Sequence, residues 1–267
     1  MFSKRNFISN SYTGTSDIRS RIEIIQLLTN YLISLDVGFV KVYEDIPTTN
    51  FTSNSTYAVI TLQYKNHDRY LKFTVRGATT ASNNRIYFAI TTDISTPEYT
   101  NAPSSSVTNS MGDEVYKAYI HAIFYTNQID KEIIFMFKVG GTSYPILSVS
   151  DSSSLCISCC MLERFDDSIQ TSFLNFGNGM SFTNGYIANK EGSYSMSFIN
   201  GNDISVDLSL GINKLYKSYV RNTNWMAKNL YSFSNIENIP TDSLITLNEK
   251  QYLTLAQLGN PVLFKMG

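Results

Sequence analysis

The stretch "YAVITLQYKNHDRYLKFTVRG", residues 57–77, decides how this chain folds. Two apolar-rich runs, residues 57–64 and 69–77, flank the short polar turn Lys65-Asn66-His67-Asp68. In the second run Leu71, Phe73 and Val75 alternate with Tyr70, Lys72 and Thr74. A period of two turns one set toward a core and the other toward solvent, which is the pattern of a β-hairpin. "RIYFAITT", residues 85–92, continues it as a third strand.

On the N-terminal side the period changes. In "SDIRSRIEIIQLLTNYLISL", residues 16–35, the side chains Ile18, Ile22, Ile25, Leu28, Leu32 and Leu35 recur at steps of three and four. That spacing gathers them on one stripe of an amphipathic helix. Ser16 or Asp17 can cap its first turn, and Gly38 lies just past its end as a stop signal. A stripe of this kind needs an apolar partner, and the face of the neighbouring sheet is the natural one.

On the C-terminal side a polar loop, residues 95–114, interrupts the strands and reads as either a mobile segment or one that a partner grips. "VYKAYIHAIFY" (115–125) and "KEIIFMFKV" (131–139) then form a second hairpin around Asn127-Gln128-Ile129-Asp130. Gly140-Gly141 turns into "TSYPILSVS". Beyond it, Asn178-Gly179, Asn184-Gly185 and Asn200-Gly201 are tight-turn pairs, "DISVDLSL" alternates, and "SLITL", "QYLTL" and "PVLFK" are short strand-like runs. Residues 151–154 read as a boundary between halves or equally as a loop inside one domain. The expectation is an α+β, mainly β protein: residues 1–150 form an amphipathic helix packed on an antiparallel sheet, and residues 151–267 a β-sandwich-like second part.

Composition narrows the function classes. The 267 residues carry a net charge of −1, and only 16% are charged, against about 25% in ordinary proteins. Eighteen Tyr and sixteen Phe favour pleated, half-buried surfaces. Without a concentrated basic face there is no footprint for nucleic acid. No apolar run approaches the ~20 residues of a membrane span. The polar N-terminus lacks the apolar core of a signal peptide. The sequons at Asn50 and Asn54 are accordingly read as loop chemistry, and assembly in a cytoplasm is expected.

Candidate reactive residues do not converge. In "SSSLCISCCML" a strand would send Cys156 and Cys160 to one face and Cys159 to the other. Zinc needs about four ligands, and no second cysteine pair exists, so the thiols read as small apolar fillers. His121 sits in an alternating strand and reads as structural. His67, in the hairpin turn, reads as solvated. A nucleophile would need one of them close by. Glu163, Asp166 and Asp167, and Asp113 and Glu114, are the available carboxylate groups for glycoside hydrolysis, but their spacing is that of ordinary loops. No catalytic, cofactor-binding or metal-binding residue is assigned.

The order of these elements resembles a group of tailed-bacteriophage virion proteins of the tail and baseplate. The resemblance lies in the entry Tyr12-Thr13-Gly14 to the helix and the strand ending in Arg76-Gly77. It continues in the strand pair around residues 127–130, the exit strand with Tyr144, and the closing "YLTLAQLGNPVLFKMG". It implies a non-enzymatic structural part of the virion that forms a homo-oligomeric ring or sleeve with itself and other virion proteins. The alternatives are a receptor- or glycan-binding protein at the tail tip or capsid surface, and a virion-associated cell-wall hydrolase. An aromatic-lined saccharide groove would mark the first, and a carboxylate at Glu163 or Asp166 essential for wall lysis the second.

Overall fold

The computed structural model describes residues 1–11, 18–48, 57–67, 69–77, 85–97, 107–110, 119–140, 155–164, 166, 169–178, 186–189, 192–195, 205–210, 213–219, 225–233, 243–247, 249–256 and 262–266. They form two compact units. The helix unit comprises Lys4–Ile123 and Phe137–Leu147; the strand unit comprises Met1–Ser3, Phe124–Met136 and Ser148–Gly267. Strands group by their pairing partners and not by their order along the chain.

In the helix unit, β1 (Phe2–Ile8), which begins in the other unit, leads to α1 (Ile18–Ser34). An antiparallel meander follows: β2 (Phe39–Asp45), β3 (Tyr57–Tyr64), β4 (Tyr70–Arg76), β5 (Arg85–Thr91) and β6 (Val107–Ser110), hydrogen-bonded in that order. The helix packs on β2, β3 and β4. Its expected stripe, Ile18, Ile22, Ile25, Leu28, Leu32 and Leu35, is buried throughout. Each such side chain contributes ~1.5–3 kcal/mol by leaving water. Glu23, off that stripe, accepts hydrogen bonds from the hydroxyls of Ser9 and Ser11 and the N–H groups of Asn10 and Ser11. Partial burial pushes the Glu23 carboxyl up, but these donors outweigh it and hold it below its usual value.

The helix stops where expected, by a different residue. Leu35 and Asp36 donate back to the carbonyls of Tyr31 and Ile33, and Asp36 adopts the left-handed φ of 52°. Gly38 serves the entry to β2 instead. Its φ is 106°, and a Cβ there would stand 2.7 Å from the Lys65 side chain.

The hairpin of β3 and β4 forms in the register that the alternation demands, with Ala58, Ile60 and Leu62 opposite Val75, Phe73 and Leu71. Lys65 and Asn66 both take positive φ, 46° and 56°, and the His67 N–H closes the turn on the Tyr64 carbonyl. That is the type I′ turn whose twist suits a hairpin. Phe73 meets Phe88 edge to face, and Phe88 meets Phe137, with centroids 5.1 and 5.8 Å apart.

The second hairpin is β7 (Tyr119–Asn127) and β8 (Glu132–Gly140), which pass from one unit to the other. The strand unit continues with β9 (Leu155–Glu163), β10 (Ile169–Asn178), β11 (Tyr186–Asn189), β12 (Gly192–Ser195) and β13 (Ser205–Leu210). Then come β14 (Asn213–Tyr219), β15 (Met226–Phe233), β16 (Leu244–Leu247), β17 (Lys250–Ala256) and β18 (Val262–Lys265). Its main path is β1-β7-β8-β9-β15-β18-β17-β16, and the pairings with recorded register within this unit are antiparallel. β10 covers one edge of β9 from Leu155 to Glu163, so β8 and β15 divide the other edge and the sheet branches there. The mainly β class with one helix on an antiparallel sheet is what the sequence pattern implies. The Asn-Gly pairs, the loop at 98–106 and residues 141–154 lie wholly or partly outside the described residues.

Candidate functional site

Two polar centres stand out, one in each unit, and the sequence singled out neither. In the helix unit the face of β3 and β4 expected to meet solvent is covered. Lys72 and Thr74 are fully buried, with Thr61 beside them. The cover is the segment that leaves β5. The Thr61 hydroxyl donates to the Ile94 carbonyl at 2.7 Å, and the Lys72 ammonium donates to the Thr96 carbonyl at 2.7 Å and to Asp93 at 3.3 Å. Asp93 in turn accepts the N–H groups of Ser95 and Thr96 and the Thr96 hydroxyl. Those donors, the Thr96 N–H foremost, hold its carboxyl at about 2. The result is a strap: a short turn folded around one carboxylate and bolted to the sheet by one lysine.

In the strand unit the β7–β8 turn is built from beneath. The Asn127 side-chain carbonyl accepts the N–H groups of Ile129 and Asp130, and its amide donates to the Lys265 carbonyl at 3.2 Å. Asp130 receives Lys228 at 2.5 Å and the Asn229 amide at 2.9 Å. The same amide reaches Glu132 at 2.6 Å, and the other oxygen of Glu132 accepts the Met161 N–H at 2.6 Å. Burial pushes the Asp130 carboxyl up, but Lys228 and Asn229 outweigh it and keep it below the ordinary carboxylate value. Glu132 is 0% exposed. Both of its oxygens already hold a donor. This is a cross-link joining the turn to β9, β15 and β18, and its chemistry is cohesion.

The residues considered from sequence fall apart in space and environment. Cys159 and Cys160 are buried free thiols, and the side chain of Cys156 lies outside the described residues, as do Asp167, Asp113 and Glu114. No group of metal-ligating side chains occurs among the described residues. His67 is not solvated: it is buried, and its Nδ1 accepts the Arg69 N–H at 2.9 Å. The two left-handed residues before it curl the chain so that the ring folds back over the turn. His121 is half-buried within β7. Glu163 ends β9, where its backbone pairs with Ile169 and Met226, and Asp166 is exposed in the connection to β10. Between them the Arg164 guanidinium lies over the Trp225 ring, 4.7 Å from its centre.

The described surface also exposes several large apolar side chains. Ile129, at the tip of the cross-linked β7–β8 turn, is 79% exposed, and Leu244 on β16 is 55% exposed. Val40, Val42 and Ile169 add smaller patches. For Ile129 the signal in the sequence is an isoleucine inside an otherwise polar turn. Comparison with protein-family models, curated proteins and solved structures finds no match to the chain.

Proposed function

We propose that the chain is a non-enzymatic structural component of a tailed-phage virion, in the tail or baseplate, that assembles with itself and other virion proteins through surface complementarity. One observation carries the reading: large apolar side chains stand exposed at a braced turn and along a strand edge, while the nearby buried charges are spent on internal cross-links. A braced turn that displays Ile129 loses little conformational freedom when a partner covers it, so covering it is favourable. The order of the elements in the sequence supports the phage setting. Sedimentation of the purified chain over a concentration series tests the reading, together with its co-purification with particles. Concentration-dependent assembly and particle association are expected. A chain that stays monomeric at high concentration and never accompanies particles sinks it.

A further inference from the structure

Two sheet edges are built in opposite ways. β2, at the end of the meander, is bulged between Lys41 and Tyr43 and carries Lys41, Glu44 and Asp45, with Lys41 paired to Glu44 at 2.6 Å. A bulge and charges on an edge keep other strands from adding to it. β16 ends the path of described strands in the strand unit and has none of these guards. Its residues, Leu244-Ile245-Thr246-Leu247, carry no charge, and they pair with β17 without a register shift.

The two long edges of β16 do different work. The Ser243 carbonyl accepts the Thr254 N–H at 2.9 Å. In an antiparallel ladder alternate residues direct their backbone groups to the same neighbour. Residues 243, 245 and 247 therefore bond toward β17, and Leu244 and Thr246 direct their N–H and C=O groups outward. The faces divide the same way: Ile245 and Leu247 pack on the cluster of Tyr252 and Leu263, and Leu244 and Thr246 are exposed.

We propose that this outer edge pairs antiparallel with the same edge of a second copy of the chain. The inference rests on the reading of the protein as a self-assembling part. Two conditions limit the register to one parity. Directly opposed residues must share a face, and outward backbone groups must meet outward backbone groups. Of the registers that meet both, the one that opposes Leu244 to the partner's Thr246, with Ile245 opposing the partner's Ile245 on a two-fold axis, pairs both outward residues of each strand. Each Leu244–Thr246 pair then exchanges both of its N–H···O bonds, and no charged side chain of the strand meets a like charge. A slip by one residue would place outward groups against inward ones and turn exposed side chains onto the packed face.

A four-residue strand pair buries much less than the ~1,200–2,000 Å² of a stable standard interface. It is thus one contact among several, joining subunits in pairs within a larger symmetric assembly.

The test is the association of the full chain, followed by sedimentation, in the wild type and three variants. Thr246→Pro removes an outward N–H without removing a bond to β17. Leu244→Lys places a charge on the exposed face, and Asp45→Lys places one on the guarded, already charged β2 edge as a control. Thr246→Pro and Leu244→Lys are expected to weaken association by about tenfold or more, and Asp45→Lys to leave it unchanged. Wild-type association by folded Thr246→Pro and Leu244→Lys variants overturns the strand pairing and leaves the assembly reading standing. A monomeric wild type overturns the assembly reading, and the pairing with it. Hydrogen exchange on the unaltered chain gives a second measurement independent of variant folding. The amides of Leu244 and Thr246 should gain protection as concentration rises, and amides that exchange freely in the assembled state overturn the pairing.

Discussion

The two polar centres differ in how far along the chain they reach and in what surrounds their charges. The strap of the helix unit joins residues 21 to 33 positions apart: Lys72 with Asp93 and Thr96, and Thr61 with Ile94. The cross-link of the strand unit joins Glu132 to Met161 over 29 positions, Asp130 and Glu132 to Asn229 over 99 and 97, and Asn127 to Lys265 over 138. In the strap the lysine is buried but its carboxylate is 49% exposed. In the cross-link Glu132 and Asn229 are both shut away from water. Loss of Lys72 therefore leaves a carboxylate that water reaches, whereas loss of Asn229 leaves Glu132 with no access to water.

Asn229→Ala puts that contrast to its strongest test. One amide group stands between two carboxylates, and its removal leaves Glu132 and Asp130 facing each other with a donor missing from each. Leaving a buried carboxylate short of a neutral donor costs ~1–3 kcal/mol, toward the upper end for a charged group. Urea unfolding of the variant should show a midpoint lowered by that amount divided by the m-value, with the m-value itself unchanged. A loss under ~1 kcal/mol would mean that water enters the cross-link, and the distinction between the centres would fail.

The same contrast explains what could be read from the sequence. The helix, the β3–β4 hairpin and its turn are local: a stripe at steps of three and four, an alternation of two, and a polar tetrapeptide carry all the information they need. The cross-link is written in single polar residues on four elements, and Glu132 and Asn229 look like ordinary strand positions until β15 is laid beside β9. Strand alternation also assigns Lys72 and Thr74 to solvent, because a period of two reports which side a residue faces and not what lies on that side. The strap over them comes from Asp93, Ser95 and Thr96, a polar turn with no feature that names its destination. His67 was misplaced for a related reason. A turn composition indicates exposure on average, but two left-handed residues in succession fold the next side chain back onto the hairpin.

Lys72→Met sharpens the comparison from the other side. Methionine retains the apolar stem and removes the buried ammonium, while Asp93 keeps its donors from Ser95 and Thr96 and its access to water. The Thr96 carbonyl loses one hydrogen bond. The expected cost is ~1 kcal/mol or less, because a buried charge leaves as well as a bond. A chemical-denaturation curve within that margin of wild type supports the relief by solvent. A loss as large as that of Asn229→Ala would show that the lysine holds the face of β3 and β4 together by itself.

The smallest effect is local and lies in acid. The Asp93 carboxyl is held at about 2 against an ordinary 3.8, first by the Thr96 N–H, then by the Ser95 N–H and the Thr96 hydroxyl, with Lys72 adding last. A carboxyl whose pKa is lower folded than unfolded binds protons more readily in the unfolded state. Its contribution is therefore fully present above the ordinary value of 3.8 and is lost as the pH falls toward about 2. Because this carboxylate sits at the surface, the change should appear in the strap and not as global unfolding. Carbon-detected NMR of the Asp93 carboxyl should give a midpoint near 2, and the amide signals of Ser95 and Thr96 should shift with the same midpoint. Lys72→Met should raise that midpoint slightly, since the ammonium is the least of the contributors. A midpoint near 3.8 in the wild type would mean that the turn does not close around Asp93. A large rise in the variant would mean that the lysine, and not the turn, sets the charge.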